Sequence, residues 1–126
     1  SEHIVKMLNS GDGGQMIFEP AVIKVSVGDT IHFKAIDAAH NSVSVDGMVP
    51  SGAASWASQL SQDISVTLDT EGVYVYQCDP HLIMAMVGVI QVGEAVNIDD
   101  IRNSASSYSA NFLMNNDRLQ SYLNQL

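Results

Sequence analysis

Cys78, His81, Met84 and Met86 fall within nine residues, so a thiol, an imidazole and two thioethers share one short stretch. That stretch, Tyr76-Gln77-Cys78-Asp79-Pro80-His81-Leu82-Ile83-Met84-Ala85-Met86, joins the end of one strand-like pattern to the start of the next. A tight turn there aims the side chains at a single point. One thiolate, two imidazoles and a weak axial thioether make the ligand set of a type 1 copper site. The second imidazole has to come from elsewhere, and Ala39-His40-Asn41 supplies it, after one strand pattern and before Val43. Sulfur suits Cu(I) and imidazole suits Cu(II), so little need rearrange when one electron moves. Spacing alone leaves both Met84 and Met86 open as the thioether.

Taken singly, each residue has a plainer reading. A lone cysteine at a strand end is usually a small buried hydrophobe, and methionines fill gaps in cores. The conjunction of types and spacings carries the copper reading. Structural zinc accepts Cys and His but gains little from a thioether. A Cys–His pair also suits a thiol hydrolase, yet no helix N-terminus follows Cys78 to activate a thiolate. A catalytic metal keeps an open coordination position, and four protein donors leave none, so the expectation is a protein that is not an enzyme. A copper carrier or store with the same ligands is the alternative function, although such a protein usually keeps its ligands exposed and exchangeable.

The elements that must position these residues read with a period of two. Ile23, Val25 and Val27 alternate with polar neighbours, as do Ile31, Phe33 and Ala35 after Gly28-Asp29. Val43 and Val45, Ile64 to Leu68, Val73 and Val75, and Val87 and Val89 repeat the pattern. Short alternating runs separated by Gly, Pro, Asp and Ser predict an antiparallel β-sandwich or barrel of about seven or eight strands. Asn9 to Gly14 reads as a loop between a strand over about Ile4–Leu8 and one around Met16–Phe18. Gly47 to Gln62 has no clean period and reads as an excursion, with Trp56 as a core plug. Near residue 97 the period changes. Asn97 is a good N-cap, and Asp99 and Asp100 suit the first turn of a helix running to about Ala105. Ala110, Leu113, Met114, Leu119, Tyr122, Leu123 and Leu126 then recur at near-helical spacing, which predicts an amphipathic hairpin covering the sandwich.

Composition narrows the function classes. The chain has 126 residues, 46% hydrophobic and 15% charged, enough for one packed domain, 1–126. Five Lys+Arg against 14 Asp+Glu leave a net charge of −9. A nucleic-acid partner is excluded for want of clustered cations, and an anionic membrane surface is disfavoured likewise. The single cysteine rules out an internal disulfide. Ser1-Glu2-His3 has neither a basic nor an apolar leader region, which fits a mature exported chain or a cytoplasmic one.

Beyond the ligand stretch, Met16-Ile17-Phe18-Glu19-Pro20, Val27-Gly28-Asp29-Thr30, His40-Asn41, Gly47-Met48-Val49-Pro50, Gly72-Val73-Tyr74 and Met86 to Gly93 carry a resemblance over nearly the whole length. The chain resembles the cupredoxins, the small blue copper proteins, and among them the pseudoazurin group, with its two C-terminal helices. The resemblance implies an all-β Greek-key β-sandwich of about eight strands over 1–93, with a helical extension over 94–126 packed on it. It implies one copper per chain, held by His40, Cys78, His81 and Met86. Asn41 would tether the ligand loops and Pro80, lacking an N–H, would leave the sulfur fewer hydrogen bonds. The electron would leave through His81, inside an apolar ring of Pro80, Leu82, Ile83, Met84, Met16 and Met48. The implied role is a monomeric periplasmic shuttle, its signal peptide removed, serving a cytochrome or a copper reductase, with denitrification as one setting.

Two features depart from that group. Its ligand loop usually has glycines on both sides of the first methionine, where this chain has Ile83 and Ala85; glycine accepts a positive φ and isoleucine resists it. The group also presents a lysine-rich rim, whereas Lys6, Lys24 and Lys34 are the only lysines here. The acidity predicts either a partner with a basic docking face or an adaptation for solubility or high salt.

Overall fold

The computed structural model describes residues 1–126. Eight strands form two four-stranded sheets that face each other. The strands are β1 (Glu2–Gly11), β2 (Gly14–Glu19), β3 (Val22–Val25), β4 (Thr30–Lys34), β5 (Val43–Ser44), β6 (Ile64–Thr67), β7 (Gly72–Gln77) and β8 (Val87–Val92). One sheet has the order β2-β1-β4-β6 and the other β3-β8-β7-β5. Two helices follow, α1 (Ile98–Ser109) and α2 (Arg118–Leu123).

Inward residues of the two sheets make the first core: Val5 and Met7 from β1, Ile31 and Phe33 from β4, Tyr74 and Tyr76 from β7, Ile90 and Val92 from β8. Trp56 plugs it as expected, stacked on Phe33 with ring centroids 6.0 Å apart. Tyr76 packs edge-on to Phe18 at 4.7 Å and to Phe33 at 4.9 Å, arrangements that suit the ring quadrupoles. Gly88 on β8 makes room for that ring, since a Cβ there would run into the Tyr76 phenol. The opposite faces of β7 and β8 build a second core with the helices. Val73, Val75, Val87 and Val89 pack there against Ile101, Ala105, Phe112, Leu119 and Leu123. The two strands that flank the ligand loop are therefore dry on both faces, each large apolar side chain contributing about 1.5–3 kcal/mol of burial.

Several local expectations change. The sheets are mixed: β1 pairs with β4 in parallel, and so does β3 with β8. Alternation reports which face a residue occupies and is blind to strand direction. Asn9, Ser10 and Gly11, expected in a loop, extend β1, because Gly11 pairs with Gly14 across a two-residue turn. Asn97 does precede α1 but makes no capping bond. Its amide is engaged by β7, accepting from Val73 N–H at 2.6 Å and donating to Val73 C=O at 3.0 Å. α1 runs to Ser109, past Ala105. In the tail only 118–123 is helical; Leu113 and Met114 stand exposed before it.

Candidate metal centre

Cys78 lies one residue beyond β7 and Met86 one before β8, so the ligand loop is the connection of the β7–β8 hairpin. Antiparallel pairing from Gly72↔Val92 to Gln77↔Val87 holds its two ends together. The Cys78 N–H donates to the Met86 carbonyl at 2.9 Å, and the Met86 N–H to the His81 carbonyl at 3.2 Å. Leu82–Met84 forms one 3-10 turn, and Ala85 ends it at φ 59°. Ile83 thus keeps an ordinary helical φ, and the positive φ falls on Ala85. That conformation disfavours a residue with a Cβ by about 1–2 kcal/mol, and the methyl is fully buried in the second core.

His40 arrives from the other side. It precedes β5, and the excursion of 47–62 staples its segment in place. Ser61 N–H donates to the His40 carbonyl at 2.8 Å, Ser58 N–H to the Ser42 carbonyl at 3.0 Å, and Ser44 N–H to the Trp56 carbonyl at 3.0 Å. The Trp56 indole N–H donates to Ser42 Oγ at 3.0 Å.

The three polar donors converge. His40 Nδ1 stands 3.7 Å from Cys78 Sγ, His81 Nδ1 stands 3.4 Å from it, and the two nitrogens are 3.1 Å apart. A triangle of these sides has a point about 2.0 Å from every corner, close to the bond lengths first-row metals make to nitrogen and sulfur. His40 Nε2 donates to Asn9 Oδ1 at 2.8 Å, which puts the ring hydrogen on Nε2 and leaves the Nδ1 lone pair for the site. Asn9 is in turn held through its own N–H, which donates to Asp37 Oδ2 at 2.7 Å. Cys78, His40 and Met86 are fully buried. Burial raises the thiol's pKa, against the opposing pull of the Asn41 and His81 backbone N–H groups. Burial, with His81 beside it, holds the His40 imidazole below its ordinary value. Both shifts favour uncharged groups in a dry pocket, and a bound cation would reverse the first of them.

Met86 shares the first core with Cys78, whereas Met84 is half-buried on the outer side of the loop. Of the two thioethers left open by spacing, the buried one belongs to the donor set. His40, Cys78, His81 and Met86 are positioned as type 1 copper ligands. Soft sulfur and imidazole together fit copper and give harder oxygen-seeking cations nothing to bind.

Asn41 ties the two halves. Its Oδ1 accepts from Asp79 N–H at 2.8 Å, and its Nδ2 donates to Asp79 Oδ2 at 3.2 Å and to the Ser58 carbonyl at 3.3 Å. Pro80 is exposed, His81, Leu82 and Met16 are half-buried, and Ile83 is 51% exposed. Met48 does not join them. It is 3% exposed and packs in the second core, which is a correction to its expected place in the apolar ring. Asn9 was missed by sequence reading, since nothing at position 9 marks a partner 31 residues away.

The family model of copper-binding proteins of the plastocyanin/azurin family matches residues 5–93. The pseudoazurin of Methylorubrum extorquens is 44% identical over 93 residues, which are 74% of this chain and 63% of that protein. The pseudoazurin of Paracoccus pantotrophus is 40% identical over 93 residues, covering 74% of this chain and 64% of that one. The chain thus spans just under two thirds of the length of these relatives. The crystal structure of native pseudoazurin from Hyphomicrobium denitrificans superposes with a TM-score of 0.90 at 35% identity, covering 100% of this chain and 98% of that one. That superposition takes in the sandwich and the C-terminal helices alike, and the chain belongs to the plastocyanin/azurin family of copper-binding proteins, with the architecture of its pseudoazurins.

Proposed function

We propose that the chain is a one-electron carrier and not an enzyme. Copper bound at His40, Cys78, His81 and Met86 would supply a Cu(I)/Cu(II) couple. The observation that carries the reading is the convergence of two imidazole nitrogens and one cysteine sulfur within 3.7 Å, three of the four donors being buried. Four protein donors, three of them buried, leave no open coordination position for a substrate and no exposed ligand set for handing copper on, which argues against both catalysis and the copper-store alternative. The protein's part is to hold the donors still and dry. Asn9 orients His40, Asn41 joins the two ligand segments, and the hairpin fixes Cys78 and Met86.

The exit for the electron is the His81 edge. Pro80, Leu82, Ile83, Met84 and Met16 lie around it, and exposed Leu113 and Met114 extend that apolar area, since both their N–H groups reach the Ile83 carbonyl. Small apolar contacts with few specific bonds suit brief redox encounters. The partners follow as redox proteins, a cytochrome or a copper reductase, and the net charge of −9 favours one with a basic docking face. A monomer in the periplasm, with denitrification as one setting, is the role that similarity to pseudoazurins suggests.

The test is the visible and EPR spectrum of the copper-loaded protein together with reversible redox titration. An intense thiolate band that bleaches and returns with one electron per chain is expected. A colourless or irreversibly oxidised protein would refute the carrier reading.

A further inference from the structure

The segment between α1 and α2 runs back along the ligand loop. Leu113 N–H donates to the Ile83 carbonyl at 2.7 Å, and Asn115 Nδ2 to the Met84 carbonyl at 3.1 Å. Arg118, the first residue of α2, turns its guanidinium onto four backbone carbonyls. Nη2 donates to Gln15 at 3.1 Å and Nη1 to Met16 at 2.9 Å; Ala85 at 3.3 Å and Met84 at 3.4 Å share what remains of Nη1. None of the molecule's ion pairs includes this arginine. Its charge is met by carbonyl dipoles from two segments about a hundred and about thirty residues away in sequence.

A rigid fork of five donors can hold several carbonyls in fixed relation, whereas a lysine offers one mobile point charge. The carbonyls held belong to the two residues immediately before Met86. One of them, Ala85, sits at φ 59°, a conformation that persists only where its surroundings enforce it. The same grip ties this turn to β2 through Gln15 and Met16, so the turn cannot slide along the sandwich.

We propose that Arg118 is a positioning residue of the metal centre: by clamping the Met84 and Ala85 carbonyls against β2, it fixes how closely the Met86 sulfur approaches the thiolate and imidazoles. The proposal rests on the copper reading above. Arg102 provides an internal control. It also anchors the C-terminal helices, through Asn124 Oδ1 and the Leu123 carbonyl at 3.2 Å each, but touches no part of the ligand loop.

The experiment compares Arg118→Lys, Arg118→Gln and Arg102→Gln with the unaltered protein, with and without copper. Without metal, hydrogen exchange at the Cys78 and Met86 amides should quicken about tenfold in both Arg118 variants, the effect of one lost charge-assisted bond. With copper, the EPR signature and the ratio of visible bands should change in both, while Arg102→Gln leaves all three measurements unchanged. The lysine variant keeps the charge, so it serves even where the glutamine variant folds poorly. Unchanged spectra and exchange in the Arg118 variants, full recovery by lysine, or equal changes in Arg102→Gln would each overturn the proposal. Loss of the thiolate band in the unaltered protein would instead defeat the copper reading, and metal-free exchange would still judge the clamp.

Discussion

His40 and His81 face the same sulfur from opposite kinds of surroundings. His40 is fully buried, its far nitrogen is bonded to Asn9, and its backbone is stapled to Ser61. His81 is half-exposed on the hairpin loop, and its far nitrogen has no protein partner. One half of the site is held on every side and the other keeps an open edge. In the carrier proposed above, the fixed geometry would limit rearrangement and the open edge would set the distance to a partner.

The largest effect expected removes the ligand both halves share. Cys78→Ser should abolish the intense visible band while circular dichroism reports an intact sandwich, since Tyr76, Phe18 and Phe33 pack without the sulfur. A blue Cys78→Ser protein would refute the assignment. Next, Asn9→Ala frees the buried imidazole and should weaken copper binding about 10–100-fold, the usual cost of losing an orienting partner. Competition against a chelator measures it; an unchanged affinity would mean that the backbone staples alone hold His40.

Within the loop half, Met86→Leu should keep the colour but move the reduction potential by more than about 59 mV, a tenfold change in a one-electron equilibrium. Met84→Leu, on the outer side, should leave both nearly unchanged. The opposite pattern in redox titration would exchange the two methionines' roles. The smallest effect concerns the open edge. Asp46→Lys and Asp117→Lys, both at exposed acids, should slow reduction by a basic cytochrome roughly severalfold at low salt and speed reaction with an acidic reductase. Both differences should fade as the Debye length shrinks. Stopped-flow across an ionic-strength series decides, and flat profiles would leave the apolar ring in sole control of docking. Asp79 is nearest His81 in sequence but is unsuitable, because both its carboxylate oxygens are engaged, by Asn41 and Gln77. Reversing its charge would disturb the buried half as well.

What sequence reading recovers follows the same division. Cys78 and His81 are legible because they are scarce residue types at short spacing, and His40 because it stands between two strand patterns, whereas spacing alone cannot choose Met86 over Met84 and burial decides it. Faces of strands are legible from alternation, and Trp56 as a plug from its size. Asn9 and Arg118 are not. Each acts through a single hydrogen-bonding side chain whose partner lies 31 to 103 residues away, and only the parallel β1–β4 pairing and the path of the tail bring them close. Asn97 misleads for a related reason: its capping chemistry is intact, yet the β7 backbone competes for the same amide and wins. Met48 and Ile83 show that burial and local φ are settled by packing, whatever the residue type suggests.

The reach of Arg118 also orders events during synthesis. Gln15 and Met16 leave the ribosome about a hundred residues before the side chain that grips them, and the ligand loop about thirty before. Contacts of such long separation close late in folding. Until then the hairpin carrying Cys78, His81 and Met86 can form on the sandwich with its turn unclamped. Because Cys78 is covered by the sandwich core and the tail packs in the other one, late closure of the tail would leave the thiol already enclosed and would settle only the Met86 end of the loop.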